Sequence, residues 1–367
     1  MVDFHFALAN ISSFAGNRFD LVQAGGGNSS VKLDDQQMLI KASGISLSEV
    51  CQGSGYVAVN YPLIRRSIAE NNFTSNDRKE RECSANQLME KSKISTEGKP
   101  SIETFLHALL NTYTLHTHPI SVNVLTAKAN WQQELTALWP DAVCVPYHTP
   151  GIDLALALAE QIEHYQTTND QLPKVIFLQN HGLIISSKNY EEVEQLTDQV
   201  CMVIEEHLKM DLQRYRNISQ LQKLFASLGY GQEKEKVNFL CSDDHLIQQC
   251  LSSEQTIGDE IIEIWPFCPD TLIYCGVRPV HMSSISDANS IMKYINQYQE
   301  YPKILILENQ VYFCANSLKK AKDAEDLFKF HLIVRHHSTP DIQRLTMDEV
   351  AYLSNWDAEK YRKSIQR

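Results

Sequence analysis

Between residues 100 and 215, short apolar runs alternate with longer amphipathic stretches, and this alternation limits the possible folds more than any other feature. The runs at 113–118, 143–147 and 175–179 have the length and β-branched content of strands. The gaps between and after them, 119–128, 153–165 and 190–215, carry helical spacing. Upstream, residues 4–20 read as a helix that Gly25-Gly26-Gly27-Asn28 interrupts. Two short strands follow at 31–33 and 37–41, around a turn at Asp34-Asp35. Strands interleaved with helices predict an α/β (α+β) layered core.

Residues 70–99 are polar and predict a solvated insertion carrying one helix. Pro100-Ser101-Ile102-Glu103-Thr104 reads as a helix start capped by Ser101, with Leu106, Leu109 and Leu110 as its apolar stripe. Residues 1–215 form the expected first domain, 216–236 a linker, and 237–367 a smaller α/β unit ending in a helix. In that unit 244–249 and 317–334 read as helices, and 271–275 as a strand. The runs 304–307 and 310–314 read as a strand pair around Glu308-Asn309. The tail at 345–364 reads as a helix opened by a capping box from Thr346 to Glu349. No internal repeat or low-complexity segment is evident.

A chain of 367 residues with 43% apolar and 21% charged residues can bury a core, which argues against wholesale disorder. A net charge of −12 disfavours nucleic acid as a partner but leaves room for an anionic small molecule in a locally positive pocket. The nine scattered cysteines form no C-x-x-C pair, and the N-terminus lacks the charged and apolar regions of a secretory signal. The expectation is a cytoplasmic protein with reduced thiols. No apolar run approaches the ~20 residues of a membrane span.

Four residues carry the chemistry. His116 and His118, two apart in a strand candidate, project from one face. His181 follows the apolar run Val175-Ile176-Phe177-Leu178. Three neutral imidazoles with an open fourth position suit a catalytic zinc, and a nearby carboxylate, Glu103, can move protons beside a carbonyl. Spacing alone leaves two readings open: a metal site, or three histidines satisfied by ordinary contacts. Glu103 by itself is equally a first-turn glutamate favoured by the helix dipole. His107, one turn on, reads as a structural hydrogen-bond partner. Gly27-Asn28, Ser43-Gly44 and Ser101 are short elements whose backbone N–H groups and hydroxyls suit an anion, with Lys41 nearby.

Taken together, Gly26-Gly27-Asn28-Ser29-Ser30-Val31, Leu39-Ile40-Lys41-Ala42-Ser43-Gly44, Ser101-Ile102-Glu103, His116-Thr117-His118-Pro119 and Asn180-His181-Gly182-Leu183 resemble the class II aldolase/adducin family. Ser101 through His107, Val145 through Gly151 and the tail from Leu345 to Arg362 resemble the aldolase half of bifunctional rhamnulose-1-phosphate aldolase/short-chain dehydrogenase proteins, here as a stand-alone version. The resemblance implies a central, mostly antiparallel sheet flanked by helices. It implies a Zn²⁺ held by His116, His118 and His181, or another divalent metal, with Glu103 as general acid/base. It places Gly27, Asn28, Ser43, Gly44 and Ser101 around a substrate phosphate. One departure bears on that pocket: Ile102 stands where the sugar-phosphate enzymes often have a second serine. The implied activity is cleavage of a ketose phosphate to dihydroxyacetone phosphate and an aldehyde through a metal-stabilised enediolate, in a homo-oligomer, with a tetramer favoured. Epimerases and dehydratases on the same metal site, an adducin-like scaffold without catalysis, and a sugar-sensing module are the alternatives.

Overall fold

The structure is a computed structural model describing residues 3–230, 237–252, 265–338 and 342–354. It divides into two compact units, Met1–Arg216 and Asn217–Arg367.

Unit 1 is built on seven strands: β1 Asn28–Lys32, β2 Gln37–Lys41, β3 Tyr56–Asn60, β4 Tyr113–Thr117, β5 Val143–Val145, β6 Val175–Leu178 and β7 Gly182–Ser187. Their order is β3-β2-β1-β4-β7-β6-β5. Every pairing is antiparallel except β5 with β6. The helices are α1 Phe4–Gly16, α2 Tyr61–Ala69, α3 Arg78–Ser92, α4 Thr104–Ala108, α5 Ile120–Thr126, α6 Trp131–Leu138, α7 Ile152–Gln166, α8 Tyr190–Leu208 and α9 Gln213–Ser227, the last crossing into unit 2. The fold is α/β, a mostly antiparallel sheet flanked by helices.

Both sheet faces are covered, so β5 and β6 read as continuous apolar runs rather than strict alternation. Val31, Leu39, Leu115, Val175, Phe177 and Ile185 pack into one cluster with residues of α1, α5 and α8. Met38, Ile40, Val57, Ile176, Leu178 and Ile184 pack into another with residues of α2, α4 and α7. His116 follows Leu115 and shares its rung with Ile184, which puts it on the second face.

Several elements depart from the sequence reading. β3 and β7 were not anticipated; β7 begins directly at the glycine that follows His181. The helix expected from residue 101 is the five-residue α4, with Glu103 rather than Ser101 at its N-cap position. The long helix expected over 190–215 breaks at Lys209, whose φ of 56° is left-handed and whose N–H closes α8 on Glu205 and Glu206 carbonyls. The segment read as a linker carries α9 through Ser227.

Unit 2 holds β8 Asn238–Cys241, β9 Val280–Met282, β10 Ile304–Leu307 and β11 Gln310–Ala315, in the order β8-β11-β10-β9. The run at 271–275, expected as a strand, lies in the helix Pro269–Cys275. Pro269 and Asp270 open that helix, and a short apolar run does not distinguish strand from buried helix. The capping box forms: Thr346 N–H donates to Glu349, and Glu349 N–H donates to the Thr346 hydroxyl. The helix it opens is described for Met347–Ser354; the remainder of the expected tail helix, 355–364, lies outside the described residues.

Candidate metal centre

His116 sits in the middle of the sheet, between β1 and β7 and fully buried. Its Nδ1 lies 3.1 Å from the Leu183 carbonyl. A carbonyl only accepts, so Nδ1 carries the proton and neutral His116 turns a bare Nε2 lone pair the other way. His118 lies one residue beyond the strand, where its N–H donates to Leu21 O at 2.8 Å. Ile120 N–H donates to Asp20 O in the same loop. Arg18, fully buried between Asp20 (2.6 Å) and Asp198 (2.5 Å), fixes that loop. His181 is the third residue of the turn Gln179-Asn180-His181 between β6 and β7, with Asn180 left-handed at φ 53°.

These three rings and Glu103 converge. His116 Nε2 is 3.0 Å from His118 Nε2 and 3.3 Å from His181 Nε2. Glu103 Oε1 is 3.2 Å from His116 Nε2 and 3.4 Å from His181 Nε2. One donor atom from each of the four residues falls within 4.8 Å of every other. Ligands bound at 2.0–2.1 Å around a tetrahedral ion lie about 3.3–3.4 Å apart, so the spacing fits a small divalent cation. The donor set therefore fits a metal ion.

The electrostatics agree. Burial alone would raise the Glu103 carboxyl, but His116 and His181 outweigh it and hold it well below the usual range. Burial would likewise lower His116; Glu103 and the Leu183 carbonyl reverse that and raise it. His118, half-buried, is pushed down to about 3 by desolvation and the two neighbouring imidazoles. Glycines make room for the rings. A Cβ on Gly182 would stand 2.2 Å from Thr117 O, and one on Gly26 would stand 2.8 Å from His118 Nδ1.

The remaining candidate residues divide into two groups. Asn28 pairs with His116 across the sheet, is fully buried, and keeps its Nδ2 without a partner. Gly27, at φ 74°, precedes it. Ser43 and Gly44 are exposed and lie beside the segment leading to Ser101: Ser43 N–H donates to Lys99 O, and Ala42 bridges Pro100. The Ser101 hydroxyl accepts from Glu103 N–H at 3.3 Å, linking this second group to the carboxylate. Lys41 is buried, and its ammonium donates to Ile45 O at 2.7 Å and Ala42 O at 3.5 Å, closing the loop that carries Ser43-Gly44. His107 is the structural partner expected of it, with Nδ1 2.7 Å from Ser30 Oγ. The Leu183 carbonyl and the Arg18 network had no signal in the sequence, because one is backbone and the other acts through a loop.

Residues 7–208, more than half of the chain, match the family of the Class II Aldolase and Adducin N-terminal domain. The chain belongs to that family. Solved structures similar to this class II aldolase/adducin protein include the N-terminal class II aldolase domain of a conserved protein from Thermoplasma acidophilum. It is 22% identical, with a TM-score of 0.46, covering 55% of this chain and 92% of that one. A sugar-phosphate aldolase from Thermotoga maritima is 16% identical (TM-score 0.38, 55% and 94% covered). L-fuculose-1-phosphate aldolase from Thermus thermophilus is 15% identical (TM-score 0.37, 55% and 93% covered). No curated protein matches the chain in sequence. Among the described residues, no helix is long and apolar enough to cross a membrane.

Proposed function

We propose that unit 1 is a zinc-dependent lyase that cleaves a ketose phosphate of the rhamnulose-1-phosphate type into dihydroxyacetone phosphate and an aldehyde. One observation carries the reading: three imidazoles and a carboxylate from three separate segments meet within 4.8 Å in a chain of this family. His116, His118 and His181 hold the ion, and His116 is oriented by Leu183. A bound zinc ion supplies Lewis acidity toward a carbonyl oxygen.

The chain's own residues handle binding and protons. Cleavage breaks the bond between the carbon beside the ketone and the next hydroxyl-bearing carbon. That hydroxyl gives its proton to the Glu103 carboxylate as its carbon becomes the aldehyde carbonyl, and Glu103 passes the proton on to the carbon left on dihydroxyacetone phosphate. The phosphate is held by Gly27, Asn28, Ser43, Gly44 and Ser101. Supporting this, Asn28 has a buried donor to spare, and a Cβ on Gly44, at φ 80°, would meet open space. Ile102, with more than half its surface exposed, offers no hydroxyl there. The assembly expected with this reading is a homotetramer.

The test is Glu103→Gln, assayed with metal analysis and a panel of ketose phosphates. Retained zinc with turnover abolished is the expected result. Wild-type turnover in the variant removes Glu103 from the mechanism. A wild-type product that is an epimer or a dehydrated sugar assigns the site to those reactions instead, and a folded, metal-free wild type favours the adducin-like scaffold.

A further inference from the structure

We propose that unit 2 is a degenerate second copy of the C-terminal half of unit 1, kept as a fold after losing its metal ligands, so that the chain holds a single divalent ion. Its reference point is the metal site proposed above; the correspondence itself rests on backbone pairing.

The two half-sheets agree in order, direction and register. β4-β7-β6-β5 and β8-β11-β10-β9 use the same chain order, and both run antiparallel, antiparallel, parallel. The rung His116–Ile184–Ile176–Val143 corresponds to Cys241–Tyr312–Leu305–Val280. The next rung, Leu115–Ile185–Val175, corresponds to Leu240–Phe313–Ile304. A hydrogen bond just outside the named ladders recurs as well: Ser186 N–H to Lys174 O at 2.9 Å, and Cys314 N–H to Lys303 O at 2.8 Å. Each hairpin leads into a long helix that starts at the third residue past the last strand residue, Tyr190 after Ser187 and Leu318 after Ala315. Buried Val193, Thr197, Val200 and Ile204 then match buried Ala321, Glu325, Phe328 and Leu332 in spacing. Around β6 and β10 even the sequence persists: Pro173-Lys174-Val-Ile-Phe-Leu178-Gln-Asn180 against Pro302-Lys303-Ile-Leu-Ile-Leu307-Glu-Asn309. Elsewhere only apolar character is kept, which is why the repeat is not evident in the sequence.

Shared topology alone is a weak argument, because a βαβ unit followed by a hairpin is common. The differences carry more weight, since they fall on the ligands. His116 corresponds to Cys241 and His118 to Asp243. Leu178 pairs with Gly182 across three turn residues, whereas Leu307 pairs with Gln310 across two. Glu308 and Asn309 have φ of 50° and 62°, the signature of a tight two-residue hairpin. The residue lost is the one at the position of His181. Among the described residues, unit 2 also has no counterpart of β1–β3, and the four-residue cluster of unit 1 is the one set able to hold a metal.

The test is cobalt binding by the full-length chain, read by elemental analysis and visible absorption. One ion per chain in the wild type and none in His181→Ala are expected. Two ions in the wild type, or one surviving in the variant with its ligands in unit 2, overturn the proposal. A graft probes the equivalence directly: Cys241→His, Asp243→His and one histidine inserted after Asn309, made in the His181→Ala background. A regained cobalt spectrum is expected, and a folded graft that binds nothing overturns the correspondence. Should the graft not fold, a crystal structure of the wild-type chain decides, since any other register of β8 on β11 refutes it. A wild type that binds no metal while the graft does would sink the function proposed for unit 1 and leave this inference standing.

Discussion

His107 gives the sharpest quantitative test of the interior behind the histidine cluster. It is fully buried, with Nδ1 against Ser30 Oγ and Nε2 without a partner. Burial, ahead of the neighbouring charges, pushes its pKa down to about 3. The unfolded chain offers an ordinary imidazole near 6.5. Above that pH neither state binds a proton there, and the stability is intact. As pH falls below 6.5 the unfolded chain gains a proton that the folded chain refuses, so stability is lost until pH nears 3. At pH 5 the loss from this one group is about 2 kcal/mol, and any folded value below about 4 gives nearly the same figure. His107→Asn keeps a polar atom near the position of Nδ1 and does not titrate. Urea unfolding in the presence of a chelator, followed by the fluorescence of buried Trp131, should be run at pH 7 and pH 5. Between those pH values the wild type should lose about 2 kcal/mol more than the variant. Equal losses would refute the claim that His107 stays neutral in the fold at pH 5.

Three further outcomes follow from the packing around the cluster. Gly182→Ala forces a Cβ onto the Thr117 carbonyl of the neighbouring strand, and thermal melting should show a loss of roughly 3 kcal/mol or more; an unchanged melting temperature would mean that β4 and β7 are not so close. Arg18→Met leaves Asp20 buried and unpaired, so unfolding should show a loss of about 3–5 kcal/mol, and zinc titration should show weaker binding because the loop that holds the His118 N–H loosens. The raised pKa of His116 makes a proton compete with the ion, so zinc affinity measured against a chelator should fall as pH drops through His116's raised pKa, and a flat profile would exclude Nε2 as a ligand.

The sequence exposed the parts of this fold whose pattern is local. The apolar runs at 113–118, 143–147 and 175–179 became β4, β5 and β6, and the Glu308-Asn309 turn is where its two flanking runs place it. What stayed hidden depends on partners. β3 alternates buried and half-buried residues, too weak a pattern to stand out, and β7 begins at a glycine. The run Thr271-Leu-Ile-Tyr-Cys275 was ambiguous because burial alone makes a helix face and a strand look alike. For the candidate site, the histidines and Glu103 were legible as residue types, but nothing local to His181 says that it faces His116. That follows from strand order, which periodicity does not encode.

Strand order is also what makes the cluster a property of the native state. His116 and His181 are far apart in the chain and meet only because β4 pairs with β7 rather than with a sequence neighbour. A slip of one residue along that pairing would shift the turn by about 3.3 Å and flip side chains to opposite faces. His116 would then face the layer of α1 and α8, while Glu103, at the start of α4, would stay on the other side of the sheet. A divalent ion bound by His116, His118 and His181 would thus stabilise one register of the central pairing, and its binding free energy would add to the stability of that register alone. The tight turn between β10 and β11 fixes its register without an ion, because the turn geometry sets the pairing directly.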